Sequence, residues 1–246
     1  AEPSLAGLTS LKSLTLEYFD DCTFLSSLTE LESLTLQGSD LSSGVDLSGL
    51  TQLKRLVCTS RASDTDLSFV QKLSSLESVD LGGMGTYDDI SGIFALPNLK
   101  ELILNGMECE IAFDKVAENT TLESLERAGV KLYENVKVSG GGGIVYVDWD
   151  DVFLADHLDF FQKFPNLRRL GVADNEIKDL EFAGSLMKLE EIDLSDNYVT
   201  DLRPLASLPA LRLVDCKGNP ISNLRVLDDT QVHVVSEKVS KGNRND

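Results

Sequence analysis

Basic and aromatic residues are scarce in this sequence. Its 246 residues include 22 lysines and arginines against 41 aspartates and glutamates, which gives a formal net charge of −19. Such a charge repels nucleic acids and anionic membranes, so we expect neither as a partner, and it favours solubility or a basic partner. Only 7% of the residues are aromatic while 42% are hydrophobic, so we expect a mainly aliphatic core.

The sequence has no apolar run long enough for a membrane-spanning helix and no recognisable signal peptide. It starts at Ala1 and not at a methionine. We therefore expect a trimmed N-terminus, produced either by removal of an export signal or at a cloning boundary.

The residues that catalysis requires are also few. The two histidines, His157 and His233, have no serine placed beside them, whereas a nucleophile, a base and its orienting group must lie within hydrogen-bonding reach. The glycines at 140–143 precede an apolar run, and no Gly-Lys-Ser/Thr follows them, which is the wrong order for a phosphate-binding loop. No Cys-x-x-Cys pair indicates zinc. We predict that the chain is not an enzyme and has no cofactor and no metal.

What the sequence does contain is a repeat. Three segments near the C-terminus align on the template L-x-x-L-x-L-x-x-N-x-I: LRRLGVADNEI (167–177), LEEIDLSDNYV (189–199) and LRLVDCKGNPI (211–221). This pattern resembles the leucine-rich repeat, specifically the 22-residue bacterial, internalin-like class. The first apolar residue of the L-x-L pair, which we call the anchor, recurs 20 to 23 residues apart at Leu14, Leu34, Leu56, Val79, Leu102, Leu125, Val147, Leu170, Ile192 and Val214.

The resemblance implies an α/β repeat solenoid, a right-handed curved superhelix with a mostly parallel β-sheet on its concave side and 3-10, helical or irregular segments on its convex side. No single turn can bury its apolar face alone, so stability comes from stacking. We therefore predict one domain over residues 1–246 with ten or eleven turns. Residues 222–246 form the C-terminal cap and tail, and QVHVV (231–235) is a further, weaker turn.

Asn175, Asn197 and Asn219 are predicted to bind backbone groups of the bend after each strand. Earlier turns depart from the pattern, because the equivalent positions hold Phe19, Ser39, Arg61, Met84, Met107 and Val130. Those bends must satisfy their backbone groups differently, for instance through ordered water.

The cysteines fit the same template. Cys58 and Cys216 occupy the second apolar position of the L-x-L pair, and Cys109 is also expected to face inward. No two cysteines occupy equivalent positions one turn apart, so we expect free thiols in the core and no disulfide.

The stretch GGGGIVYVDWDD (140–151) is interpreted as one regular turn of the solenoid. Leu125 and Val147 lie 22 residues apart, which leaves no room for an inserted loop. The template then assigns Trp149 to the core and turns Tyr146, Asp148 and Asp150 outward.

Outward positions on the strands form columns across the concave face, and these become acidic toward the C-terminus. We predict that the chain binds a protein partner, with a basic one favoured by the charge, on this face as a bacterial surface or secreted monomer. The candidate partner-binding residues are Glu101, Glu126, Tyr146, Asp148, Asp150, Arg169, Glu191, Asp193, Asp215 and Lys217.

Three alternatives stay open. The acidic half of the concave face could bind a glycan, or calcium around Asp148, Asp150 and Asp151, although calcium prefers six or more oxygen ligands and strand alternation separates Asp151 from the other two. The reduced cysteines would also permit an intracellular scaffold. Finally, an acidic chain can place carboxylates outward for solubility alone.

Overall fold

The structure is a computed structural model. It describes residues 7–19, 21–39, 46–59, 68–83, 86–87, 89–105, 108–111, 116, 118–126, 131–141, 144–152, 156–228 and 230–236.

A parallel sheet of ten strands runs along the described chain and forms one side of a repeating coil. In order, its strands are β1 (Ser13–Glu17), β2 (Ser33–Gln37), β3 (Arg55–Thr59), β4 (Ser78–Asp80), β6 (Glu101–Ile103), β8 (Ser124–Glu126), β11 (Arg169–Gly171), β12 (Glu191–Asp193), β13 (Leu213–Asp215) and β14 (His233–Val235). Each strand is short because the chain must turn back across the core before it can pair with the next strand.

The register of this sheet confirms nine of the ten predicted anchors. The Cα partners run from Leu14 through each anchor in turn to Leu125, which pairs directly with Leu170, and the row then continues through Ile192 and Val214. The tenth position belongs to Val234 in β14, within the weaker turn at 231–235. Val147 is not part of the row, so its assignment as an anchor was wrong.

The helices on the described part of the convex side are 3-10 helices. An aspartate opens several of them by accepting the backbone N–H two residues ahead, as Asp179 does from Glu181 at 2.7 Å and Asp201 from Arg203 at 2.9 Å. A leucine spacing of three residues matches the three-residue period of a 3-10 helix and turns each leucine inward. These helices span Thr23–Ser27, Val70–Lys72, Ser91–Ala95, Leu158–Lys163, Glu181–Ser185, Arg203–Ser207 and Leu224–Leu227.

One continuous hydrophobic core lies between the sheet and the convex segments. Anchors such as Leu34, Leu102 and Val214 are fully buried. Cys58 and Cys216 are buried free thiols, as predicted. The core is mainly aliphatic, with a phenylalanine group on the convex side around Phe94 and Phe160, whose ring centroids lie 5.2 Å apart.

The predicted asparagine contacts are present in the last turns. Asn197 is 2% exposed, and its Oδ1 accepts the backbone N–H groups of Asn175 and Ile177 at 3.0 and 2.9 Å. Its Nδ2 donates to the carbonyl oxygens of Val172 and Leu194, both at 2.9 Å. The side chain therefore ties its own bend to the bend of the preceding turn.

Earlier turns use other groups at the same bend. Ser39 is 2% exposed, and its hydroxyl accepts the backbone N–H of Phe19 at 3.2 Å. Arg61, Met84, Met107 and Val130 lie outside the described residues. Two residues beyond Met84 and one residue beyond Met107, the chain enters a second sheet, in which β5 (Thr86–Tyr87) pairs in parallel with β7 (Glu108–Glu110). Main-chain pairing between turns, and not only water, thus satisfies part of these bends.

The second sheet contains the feature that the repeat template missed. β9 (Lys131–Gly141) pairs in parallel with β7, and β10 (Ile144–Val152) pairs antiparallel with β9. The stretch 131–152 is therefore a β-hairpin inserted between β8 and β11, and not a regular turn. Tyr146, Asp148 and Asp150 lie in β10, so placing them on the concave sheet was incorrect.

The template failed here because alternation of apolar residues satisfies two structures equally well. A hairpin strand alternates with a period of two, and so does the L-x-L pair of the template. A better signal was the segment SGGGG (139–143) between two runs that contain alternating apolar residues, since a glycine-rich link is typical of a hairpin.

Direct pairing of β8 with β11 can be tested by a disulfide cross-link. Glu126 and Gly171 are Cα partners, so their Cα atoms are expected at roughly 4.8 Å, within disulfide range. We expect the Glu126→Cys/Gly171→Cys variant to cross-link on mild oxidation, as detected by peptide mapping. The control Ile103→Cys/Gly171→Cys pair lies about two strand spacings apart and should stay reduced. A regular turn between β8 and β11 would leave both pairs reduced.

The bend contacts of Asn197 generate a second prediction. Replacing Asn197 with alanine leaves two N–H groups and several carbonyl oxygens without their partner, so we expect a loss of about 2–4 kcal/mol in the free energy of unfolding measured with urea. The control is Asn98→Ala, since exposed Asn98 donates one bond of 2.9 Å to the Ser74 carbonyl and should cost under about 1 kcal/mol. Equal losses in the two variants would contradict a special role for the buried bend.

Candidate functional site

The concave face changes character along the solenoid. On β1 to β3 the outward positions beside the anchors are largely neutral, with hydroxyls at Ser13, Thr15, Ser33 and Thr35. From β4 to β13, seven of the twelve such positions are charged. The acidic half of the face is therefore the part that differs chemically from a generic polar surface.

Seven of the ten predicted residues lie on or beside this sheet. Glu101 is in β6, Glu126 in β8, Arg169 in β11, Glu191 and Asp193 in β12, Asp215 in β13, and Lys217 follows β13. Tyr146, Asp148 and Asp150 belong to the hairpin and are not brought together with the others.

The aspartates after the anchors also have a structural task that the sequence analysis missed. Asp193 Oδ1 accepts the backbone N–H of Ser195 at 2.9 Å and its hydroxyl at 2.7 Å. Asp80 and Asp215 accept the N–H two residues ahead in the same way. Each carboxylate thereby closes the turn that ends its strand, a contact that the spacing of Asp with a following Gly, Ser or Lys could have indicated.

Basic side chains neutralise part of the acidic column. Glu101 accepts a hydrogen bond of 2.7 Å from Ser78, whose hydroxyl accepts one of 3.1 Å from Arg55. Lys217 Nζ contacts Asp215 at 3.0 Å, and this hydrogen bond raises the pKa of Lys217. By contrast, Asp193 has no ion pair within the described chain.

A hollow of about 300 Å³ lies on the concave face over β11, β12 and β13. It exists because Gly171 and Ala173 place almost no side chain on the surface where neighbouring turns carry larger groups. Its polar lining consists of Asn105, Arg169, Glu191, Asp193 and Asp215. Glu191 is bound by Arg212 at 2.8 Å, so Arg169 and Asp193 present the less neutralised charges at the rim.

The described residues contain neither an activated thiol at Cys58 nor a cluster of metal ligands. Burial raises the pKa of Cys58 to about 12, so this thiol does not supply a thiolate nucleophile near neutral pH. Within the part of the chain that the structure describes, no group of three histidine, cysteine, aspartate or glutamate side chains could hold a metal ion. None of its helices is long and apolar enough to cross a membrane.

Comparison with known proteins agrees with this geometry. A family model for leucine-rich repeats, described as two copies, matches residues 165–207 and 188–229. The chain has a leucine-rich-repeat fold, and its C-terminal third carries the repeat signature. No curated protein sequence matches it significantly.

Solved leucine-rich-repeat structures share the fold over most of the chain. An internalin from Listeria monocytogenes superposes with a TM-score of 0.72 at 21% identity, covering 96% of this chain and 63% of that one. TLR13 in complex with ssRNA13 gives a TM-score of 0.62 at 22% identity, with 95% and 34% coverage. The plant peptide hormone receptor RGFR1 in complex with RGF2 gives 0.62 at 17% identity, with 95% and 40% coverage. The chain therefore spans less than two thirds of the length of each, and the similarity is one of fold.

A row of alternating charges crosses the leucine-rich-repeat sheet at the N-terminal ends of its strands, beside the site. We call it the edge row. The residue two positions before each anchor is, in order, Lys12, Glu32, Lys54, Glu77, Lys100, Glu123, Arg168, Glu190 and Arg212. Neighbours pair across the strand spacing, as Lys54 with Glu32 at 3.2 Å and Lys100 with Glu77 at 2.8 Å. The hydrogen bond from Lys100 lowers the pKa of Glu77.

This edge row was visible in the sequence but was not used. The alternation is kept only when Val145, which precedes Val147 by two positions, is left out of the series. Charge periodicity therefore contained the evidence against a leucine-rich repeat anchored at Val147.

The edge row predicts a salt-dependent contribution to stability. Glu190 contacts Arg168 at 3.0 Å and Arg212 at 2.9 Å, so Glu190→Lys removes two ion pairs and sets three cations side by side. We expect a loss of about 1–2 kcal/mol in unfolding free energy at low salt, shrinking in about 1 M salt, while exposed Glu118→Lys changes little. A loss that does not respond to salt would rule out an electrostatic cause.

Proposed function

We propose that this leucine-rich-repeat protein is a non-enzymatic interaction module that binds a protein partner on its concave face, centred on the hollow over β11 to β13. The hollow is the observation that carries the proposal. Three neighbouring strands leave room there for a group from another molecule.

The shape of the hollow supports a side chain as its occupant. Gly171 and Ala173 contribute little side-chain volume to its lining, and Arg169 and Asp193 contribute charged groups. A pocket of about 300 Å³ lies at the small end of the range of ligand sites, which suits an anchoring residue of a larger partner better than a free cofactor.

The charges around the hollow support a partner with basic or polar groups. Asp193 uses one carboxylate oxygen to close its turn, and no ion pair within the described residues neutralises it. Arg169 donates a hydrogen bond of 3.4 Å to Ser124 and has further donors available to a carbonyl or carboxylate of the partner. A partner that offers a cation next to an acceptor complements both.

The setting that we infer is the surface of a bacterial cell or the medium around it, in agreement with the shared fold of the Listeria internalin. Residues 1–246 act in this proposal as one monomeric domain, with 222–246 as cap and tail. The ten strands from Ser13 to Val235 support this, since they form one sheet.

The proposal is tested by removing charge without breaking the turns. In the Asp193→Asn/Asp215→Asn variant the amide oxygen can still accept the backbone N–H two residues ahead, so the fold is kept. We expect wild-type protein to capture a distinct partner from cell-envelope or host-cell extract. The purified partner should then bind the double variant at least about tenfold more weakly, as measured by calorimetry.

Two further variants make the result specific. Gly171→Leu fills the hollow without changing charge and should weaken binding as well. Asp159→Asn/Asp228→Asn removes two exposed carboxylates from the convex side and should bind like wild type. Equal affinity for all variants would refute the concave site, and capture from cytosolic extract alone would refute the surface setting.

A further inference from the structure

Within the described residues, the inserted hairpin has an unpaired strand edge that is long compared with the strands of the main sheet. β9 has eleven residues and β10 has nine, whereas the strands of the ten-stranded sheet have three to five. Only Lys131–Tyr133 of β9 pair with β7, so most of the hairpin extends past β7. Its backbone geometry is therefore set mainly by the pairing of its own two strands.

β10 is the terminal strand of the second sheet, whose order is β10-β9-β7-β5. One edge of β10 pairs with β9, and no strand in the described part of the chain pairs with the other edge. In an antiparallel pair, alternate residues direct their N–H and C=O groups away from the partner strand. The free edge of Ile144–Val152 is thus a template for one more strand, and this stretch contains no proline that would interrupt it.

In the antiparallel register that pairs all nine residues of β10, and in the neighbouring register about Trp149, the charges in the strand disfavour a second copy of the chain. If two copies of β10 paired antiparallel about Asp148, this aspartate would face its own copy. If they paired about Trp149, Asp148 would face Asp150. Like charges directly opposite each other destabilise a strand pair.

The same charges favour a basic segment. Asp150 is the Cα partner of Glu134 in β9, so two acidic residues already oppose each other inside the hairpin. Asp148 is opposite Lys137, which leaves the acidic excess at Asp150 and Asp151. A neighbouring strand that carries lysine or arginine would offset this excess.

From this placement we propose that the outer edge of β10 accepts an extended, lysine- or arginine-containing protein segment by β-strand addition. Main-chain hydrogen bonds would hold the segment, and the acidic residues of the hairpin would select its charge. This surface is separate from the concave hollow, and it would give the protein a second contact with the same partner or with another one.

The experiment uses a nine-residue peptide that alternates lysine and valine. Trp149 is the only tryptophan of the chain and lies in β10, so its fluorescence reports binding at this strand. We expect a saturable fluorescence change, together with slower amide hydrogen exchange over residues 144–152. A glutamate–valine peptide, and a lysine–valine peptide with every backbone amide methylated, should each bind at least about tenfold more weakly.

Charge exchange provides the matched control. The Asp148→Lys/Asp150→Lys variant, shown to be folded by its thermal unfolding transition, should now prefer the glutamate–valine peptide. The concave variant Asp193→Asn/Asp215→Asn should bind the lysine–valine peptide like wild type, which separates this proposal from the concave site.

Each contrary result has a defined meaning. Equal binding of the methylated peptide would exclude main-chain pairing, and equal binding of both charge types would exclude selection by the acidic residues. No change in fluorescence or exchange would remove the site. A concentration-dependent dimer in sedimentation, lost on Asp148→Lys/Asp150→Lys substitution, would overturn the proposal in favour of a second copy.

Discussion

Stacking of equivalent residues in successive turns is the constraint on which this structure depends. A strand of three to five residues with one or two inward side chains cannot bury them by itself. Only the row of anchors from Leu14 to Val234, each against the next, removes that surface from water. Because the anchors must stay in register, every other position of the turn is also repeated at a fixed place. The concave columns, the bend asparagines and the charged edge row all follow from that one requirement.

Repetition also explains which positions of a turn tolerate departures from the repeat pattern. The bend after each strand lies outside the anchor row, so its backbone can be satisfied in several ways. Asn197 uses a side-chain amide, Ser39 a hydroxyl, and β5 and β7 a main-chain ladder. The hairpin enters at such a bend and continues the ladder of β7. After the hairpin the anchor row continues without a gap, since β8 pairs directly with β11. An insertion of this kind leaves the main sheet unbroken.

The repeat made most of the fold predictable, because a period of 20 to 23 residues is difficult to obtain by chance. That period predicted nine anchors, the buried thiols of Cys58 and Cys216, and the bend contacts of Asn197. The hairpin could not be predicted from the period, because the residues around Val147 show the same apolar alternation as a repeat strand but lie in a hairpin strand. Of the candidate site, the positions of Asp193 and Asp215 followed from the period. The hollow did not, because it depends on what Gly171 and Ala173 leave empty.

The acidity of the chain has a partly structural origin, which changes how it bears on function. Eight aspartates each accept the backbone N–H two residues ahead. They are Asp21, Asp46, Asp89, Asp179 and Asp201 on the convex side, and Asp80, Asp193 and Asp215 on the concave side. An uncharged side chain can make the same contact, as Asn119 does with Thr121 and Asn223 with Arg225. The geometry of the turn therefore requires an oxygen but not a charge. Where aspartate stands, its charge is additional to the fold, and it is this surplus at Asp193 that is available to a partner.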